Sequence, residues 1–212
     1  MKTMRLVSRA FCAAAVAAAS ISCGSVVRDS RSPVLLVIDT LQGVKGAVTP
    51  GAPLANLSSD VLTLVTSGGV CTTASPCPTI FDDAGQASMH IILKDIGQPG
   101  VTVNPSTNNE VTVTRVHVSY RRTDGRNQEG IDVPYAFDTA TTATITSTSA
   151  VTLGFILVRQ QAKTEMPLVA LVSNGQVLST IADVTFYGAD AVGNTLSVTG
   201  SIGIQFANFG DQ

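Results

Sequence analysis

Two segments near the C-terminus carry the tightest constraint on the fold. In residues 177–188, VLSTIADVTFYG, the apolar positions Ala182, Val184 and Phe186 alternate with polar ones. In residues 196–206, LSVTGSIGIQF, the same holds for Leu196, Val198, Ile202, Ile204 and Phe206. A period of two places alternate side chains on opposite faces of a strand, so each segment has one face for a core and one for water. The six residues ADAVGN join them, which predicts an antiparallel hairpin.

The join itself carries more information. Asp190-Ala191-Val192-Gly193-Asn194 places an acid that hydrogen-bonds its own turn backbone ahead of residues that tolerate positive φ. With its flanking strands, this segment resembles the terminal hairpin of bacterial Ig-like and fibronectin-like repeats, which often carry an A-x-D-x-x-G-N turn. The resemblance covers about thirty residues. It implies an all-β fold, an Ig-like antiparallel β-sandwich with extra strands or long loops, and implies no activity. There is no second copy of the motif, so a single β-sandwich domain is expected over residues 33–209.

The rest of the chain agrees with that class. It is rich in Val, Thr, Ile and Ser, has no Trp, and lacks long apolar stripes of helical period. Strands are expected at 33–41, 60–66, 86–96, 110–122, 131–137, 139–149, 151–159 and 168–173. Pro134 marks 131–137 as an edge. The Thr/Ala/Ser-rich stretch 139–149 reads as a polar strand with loop ends, or else as a low-complexity linker. Residues 43–59 read as a loop or irregular edge, and 160–165 as one helical turn crossing between sheets. In EVTVTRVHVSYRR, residues 110–122, Val111 and Val113 are out of phase with Val116, Val118 and Tyr120. One extra residue near Thr114–Arg115 restores a common inward face, which predicts a β-bulge there. The alternative is a strand partly buried on both faces.

At the N-terminus, Lys2, Arg5 and Arg9 precede the apolar run Ala10–Ala19, the layout of a signal peptide over residues 1–22. The run is about half the length of a membrane-spanning helix. The four residues Ser20-Ile21-Ser22-Cys23 resemble the lipobox of bacterial lipoproteins, with small Ser22 beside the cleaved bond and Ser20 in place of the usual Leu. The resemblance implies acylation of Cys23, a polar tether over 23–32 and anchoring to the cell-envelope membrane, the outer one where present. Several acyl chains would make that anchor stable. The rival is cleavage after Ala17-Ala18-Ala19, which would release a secreted or periplasmic soluble protein. Removal of residues 1–22 takes the formal charge from −2 to −5, with the remaining cations scattered. That is no electrostatic footprint for nucleic acid.

Candidate chemistry is sparse. Cys71 and Cys77, in GGVCTTASPCPT, are spaced for a local disulfide in an oxidising compartment. Closing so short a loop contributes about 2.4 kcal/mol in the chain-entropy model. Free thiols are the alternative. A zinc site would have to recruit the only two histidines, His90 and His117. Either histidine would be catalytic only beside a carboxylate or hydroxyl. No G-x-S-x-G or S-x-x-K set occurs, no cofactor motif is found, and the chain reads as a non-enzyme. Asp82 and Asp83, with Asp190 or Asp60, could reach calcium, but no D-x-D-x-D-G loop supports this and a solvated loop is expected. Arg121, Arg122 and Arg126 read as a solvated hairpin end, or else as a patch for an anionic lipid or glycan. The expected function is a structural or protein-binding module of the envelope, with another envelope protein as partner. The alternative is glycan or small-molecule binding, which requires a concave patch holding Tyr120, Tyr135 or Tyr187.

Overall fold

The computed structural model describes residues 31–95 and 103–210. The leader, Cys23 and most of the tether therefore lie outside the described residues. Ten strands account for most of the rest. They are β1 (Val34–Val44), β2 (Asn56–Asp60), β3 (Thr63–Val65), β4 (Cys77–Thr79), β5 (Asp83–Leu93), β6 (Val111–Arg121), β7 (Phe137–Ile145), β8 (Val151–Val158), β9 (Leu178–Asp190) and β10 (Thr195–Ala207). Two short helices, α1 (Gln160–Thr164) and α2 (Leu171–Asn174), lie between β8 and β9. The chain is all-β.

The strands form a three-stranded sheet, β1-β5-β8, a five-stranded sheet, β2-β10-β9-β6-β7, and the small β3-β4 ribbon. A sheet curled like half a barrel is part of the fold. The inward faces of the five-stranded and three-stranded sheets contribute to one apolar cluster. Met89, Leu153, Phe155 and Leu157 come from the smaller sheet, and Val116, Val184, Phe186, Ile204 and Phe206 from the larger. Phe155 meets Phe186 edge to face across the core, with ring centroids 5.4 Å apart. Such a pair adds about 1 kcal/mol beyond the area it buries.

The β-bulge is present. Ladder register shifts between Val113 and Arg115 against both β7 and β9. Thr114 takes up the shift, so Val111, Val113, Val116, Val118 and Tyr120 are all buried while Arg115 points out. The terminal hairpin also forms. Asp190 Oδ1 accepts the N–H groups of Val192 and Asn194 at 3.0 and 2.9 Å, and Gly193 has a φ of 89°. Asp190 also binds back to the start of the domain through the Ser32 hydroxyl. Ser32, at the end of the expected tether, is 1% exposed and belongs to the folded body.

Three expectations fail for identifiable reasons. Residues 56–60 do lie at an edge, but as a regular strand rather than a loop or irregular segment, because Asn56–Asp60 pairs in parallel with Gly203–Ala207 of β10. The sheets are therefore not wholly antiparallel. Residues 168–173 are not a strand. Leu168 and Leu171 are buried and Val169 is 40% exposed, so the apolar contacts follow a spacing of three and the segment coils into helical turns. Residues 131–137 are a turn up to Phe137, where β7 begins. The Gln128 carbonyl accepts N–H groups from Ile131, Asp132 and Val133, and Ile131 projects to solvent. The polar stretch after it is a strand, β7, not a linker.

Candidate functional site

Two open clefts and one buried polar centre bring chemistry-bearing side chains together among the described residues. The first cleft, of about 480 Å³, lies where the start of β1, the end of β5, the β6 bulge and the β9–β10 hairpin meet. Leu35, Leu36 and Leu196 give it an apolar wall, and Lys94, Arg115 and Tyr187 its polar groups. The bulge at Thr114 is what turns Arg115 outward opposite Tyr187 of β9. The Arg115 guanidinium lies 3.9 Å from the Tyr187 ring centroid, and its Nη1 donates to Asp138 at 2.9 Å. Stacking and ion pairing hold the guanidinium plane while leaving other N–H donors unused by the described residues. Among the described residues no carboxylate lines this cleft.

The second cleft, of about 560 Å³, is lined by Asp39, His90, Val103–Pro105 and the turn 146–150. Asp39 is the extra residue of a bulge in β1, where the register shifts between Ile38 and Thr40. His90 Nδ1 lies 2.7 Å from Asp39 Oδ1. His117, on the other sheet, faces Asp138 across the β6–β7 ladder at 3.3 Å. Each histidine therefore has a carboxylate neighbour, which orients the ring, while neither is hydrogen-bonded to a hydroxyl among the described residues.

The buried centre lies where β2, β5, α1 and the loop after β1 converge. Asp83, at the first position of β5, is fully buried, and Lys163 of α1 is 1% exposed. Lys163 Nζ lies 2.9 Å from Asp83 Oδ2, which also accepts the Ser59 hydroxyl at 2.5 Å. Asp83 Oδ1 accepts the Gly46 N–H at 2.7 Å. Gly46 can come so close because a Cβ there would fall 2.3 Å from the Asp82 carbonyl oxygen. Burial pushes the Asp83 carboxyl above its ordinary value, although Lys163, Ser59 and Gly46 all favour its charged form. Tyr120 donates to the Leu157 carbonyl at 2.7 Å, and burial, helped by the charge on Asp83, pushes its phenol far up. Next along β2, Asp60 is also buried. Its Oδ1 accepts the N–H groups of Phe209 and Leu62 at 3.2 and 3.4 Å, and Lys45 Nζ lies 3.0 Å from Oδ2.

The other sequence candidates fall as follows. Cys71, in the loop before β4, forms a disulfide with Cys77, the first residue of β4, with Cα atoms 5.3 Å apart. Asp82, Asp83, Asp60 and Asp190 do not assemble into a cation site. Asp82 accepts the Gln160 N–H, and no group of three metal-ligating side chains occurs among the described residues. The arginines of the cluster are each paired with an aspartate. Arg122 and Arg126 both reach Asp124, at 2.6 and 2.7 Å, and Arg121 reaches Asp183 at 2.6 Å. The two guanidinium groups hold the Asp124 carboxyl far below the usual range. Tyr120 is core, Tyr135 is exposed against Gly130, and Tyr187 alone of the three lines a cleft described above.

Sequence reasoning missed Lys163, Ser59 and Lys94. Asp83 and Asp60 were singled out, but Asp82-Asp83 as a solvated loop with calcium as the lesser reading; Asp83 is instead fully buried at the start of β5, against a lysine. The stretch QQAKTE has the composition of a solvated helical turn, and nothing local announces that its lysine is buried. No helix among the described residues is long and apolar enough to cross a membrane. No protein-family model matches the chain, and no curated protein is similar to it in sequence.

Proposed function

We propose that this chain is an exported, non-enzymatic binding module of the bacterial cell envelope. It is anchored through an acylated Cys23, and its Ig-like β-sandwich offers the Lys94–Arg115–Tyr187 cleft to an anionic glycan or small acid. One observation supports this reading above a purely structural role. Two cations and an aromatic ring share an open cleft with an apolar wall that, among the described residues, no carboxylate lines, although Arg115 pairs with Asp138 beside it. Apolar walls with a few placed polar groups are the usual make-up of a small-molecule site. A carboxylate or phosphate would meet the free N–H donors of Arg115 as a fork and Lys94 as a point charge.

Calorimetric titration of the protein with glucuronate, galacturonate and inorganic phosphate tests the cleft. Binding that weakens with salt and at least tenfold on Lys94→Glu supports it. Equal binding by the wild type and Lys94→Glu, or no binding of any of the three, rejects it. Mass analysis of the N-terminal peptide from the membrane fraction tests the anchor. Acyl chains on Cys23 support it, and an unmodified peptide that begins upstream of Cys23 rejects it.

A further inference from the structure

We propose that Lys163 and Asp83 become joined by a side-chain amide, a covalent staple between α1 and the start of β5. The geometry on which this rests is independent of the cleft. The lysine nitrogen lies 2.9 Å from a carboxyl oxygen, in a place where both side chains are sealed from solvent. Among the described residues Lys163 has no other hydrogen-bonding or ionic partner, and Asp83 is met at every side by donors. A buried ion pair is a costly arrangement, because desolvation of both charges offsets their attraction. An amide made from the same atoms carries no charge and keeps one oxygen for the Gly46 N–H. Held together in a dry site, two such groups react with an effective concentration of about 10⁵ M or more.

Each atom of the reaction has a place. A proton passes from the ammonium to the carboxylate, leaving a neutral amine beside a neutral acid. Burial favours that exchange, since it already pushes the Asp83 carboxyl up. The Nζ lone pair attacks Cγ and the C–N bond forms, while the displaced electron pair goes to Oδ1, where the Gly46 N–H stabilises it as an oxyanion. The Ser59 hydroxyl, 2.5 Å from Oδ2, accepts an amine proton and hands its own to Oδ2. The Cγ–Oδ2 bond then breaks, Oδ2 departs as water and the Oδ1 carbonyl re-forms. Ammonium plus carboxylate gives amide plus water, and no oxidant, reductant or co-reactant is consumed. The product closes the chain across β5, β6, β7 and β8.

Tryptic mapping of the denatured full-length protein decides the matter, because no Lys or Arg follows Lys163. An unlinked chain releases the tetrapeptide 160–163 and the tail that starts at Thr164. A linked chain releases neither. Cleavage after Lys163 is blocked, and peptide 46–94 appears joined to 160–212 at the summed mass less one water. Lys163→Arg should abolish that species. Asp83→Asn should restore it with loss of ammonia in place of water. Ser59→Ala should slow its formation by about 100-fold, the usual weight of a positioned proton relay. Quantitative release of free 160–163 from folded wild-type protein overturns the proposal, as does a cross-link mapped to any other pair. Undiminished linkage in Ser59→Ala overturns the relay.

Discussion

Asp60 and Asp83 lie at two ends of the same small region, and both are buried carboxylates with a lysine partner, yet they are solved differently. Around Asp83 both carboxylate oxygens are engaged, by Gly46, Ser59 and a lysine that is itself sealed. Around Asp60 the lysine side chain is 38% exposed, and Lys45 meets Oδ2 as an ion-pair contact without hydrogen-bond geometry. Lys45 and Gly46 are neighbours, as are Ser59 and Asp60, so one short loop and one strand end serve both acids. The difference lies in the cation. Lys45 can hydrate when its partner is lost, and Lys163 cannot. An exposed partner makes an ion pair weak, whereas a sealed one makes either half expensive to remove alone.

The largest effect should come from breaking the sealed pair. Measured against unlinked wild-type protein, Lys163→Met leaves Asp83 buried without its cation and should cost about 3–5 kcal/mol in urea unfolding. Lys45→Met should cost no more than about 1 kcal/mol, since the ammonium it removes is already in contact with water. Equal losses in the two variants would erase the distinction. A double variant, Lys163→Met with Asp83→Asn, sharpens it further. Removing both charges together should recover most of the loss, so the two single changes should be strongly non-additive.

The same contrast shows what could be read in the chain beforehand. Elements that declare themselves locally were legible. The phase slip between Val113 and Val116 announced the bulge, the alternation after Val177 announced the terminal hairpin, and the spacing of Cys71 and Cys77 announced their disulfide. Elements that exist only through distant partners were not. Asn56–Asp60 has one apolar residue of use, Leu57, and becomes a strand because the β10 edge is open to it. Leu168 and Leu171 form part of a helical turn because the core is reached at a spacing of three. The buried centre takes Gly46, Ser59, Asp83 and Lys163 from four separate segments, and each alone looks like a solvated surface residue. Of the cleft, Tyr187 and Arg115 were visible as residues, but their stacking depends on a bulge read for packing reasons.

A smaller effect is expected at the more open acid. Asp60→Asn keeps an oxygen for the Leu62 and Phe209 N–H groups and loses only the contact with Lys45. It should cost about 1 kcal/mol, and the loss should shrink as salt is added, because the lysine side of the pair is reached by counter-ions. A salt-independent loss of several kcal/mol would place Asp60 with Asp83 after all.

An effect of similar size tests a third acid, one that is stabilised without any cation among the described residues. Burial alone would push the Asp190 carboxyl up, but the Asn194 side chain and N–H, Ser32 and the Val192 N–H outweigh it and hold the carboxyl below its ordinary value of 3.8. A group with a depressed folded-state pKa stabilises the fold above its unfolded value, and that stability is lost as pH falls through the folded value. Asp190→Asn removes the charge but keeps an acceptor, so at neutral pH it should cost about 1 kcal/mol, the scale of a charge-assisted hydrogen bond. The gap in Tm between wild type and variant should be full at pH 7, shrink once the pH drops below about 4, and close in stronger acid, where Asp190 is protonated in both states. A gap that stays constant from pH 7 into strong acid would mean that Asp190 acts through its shape in the turn and not through its charge.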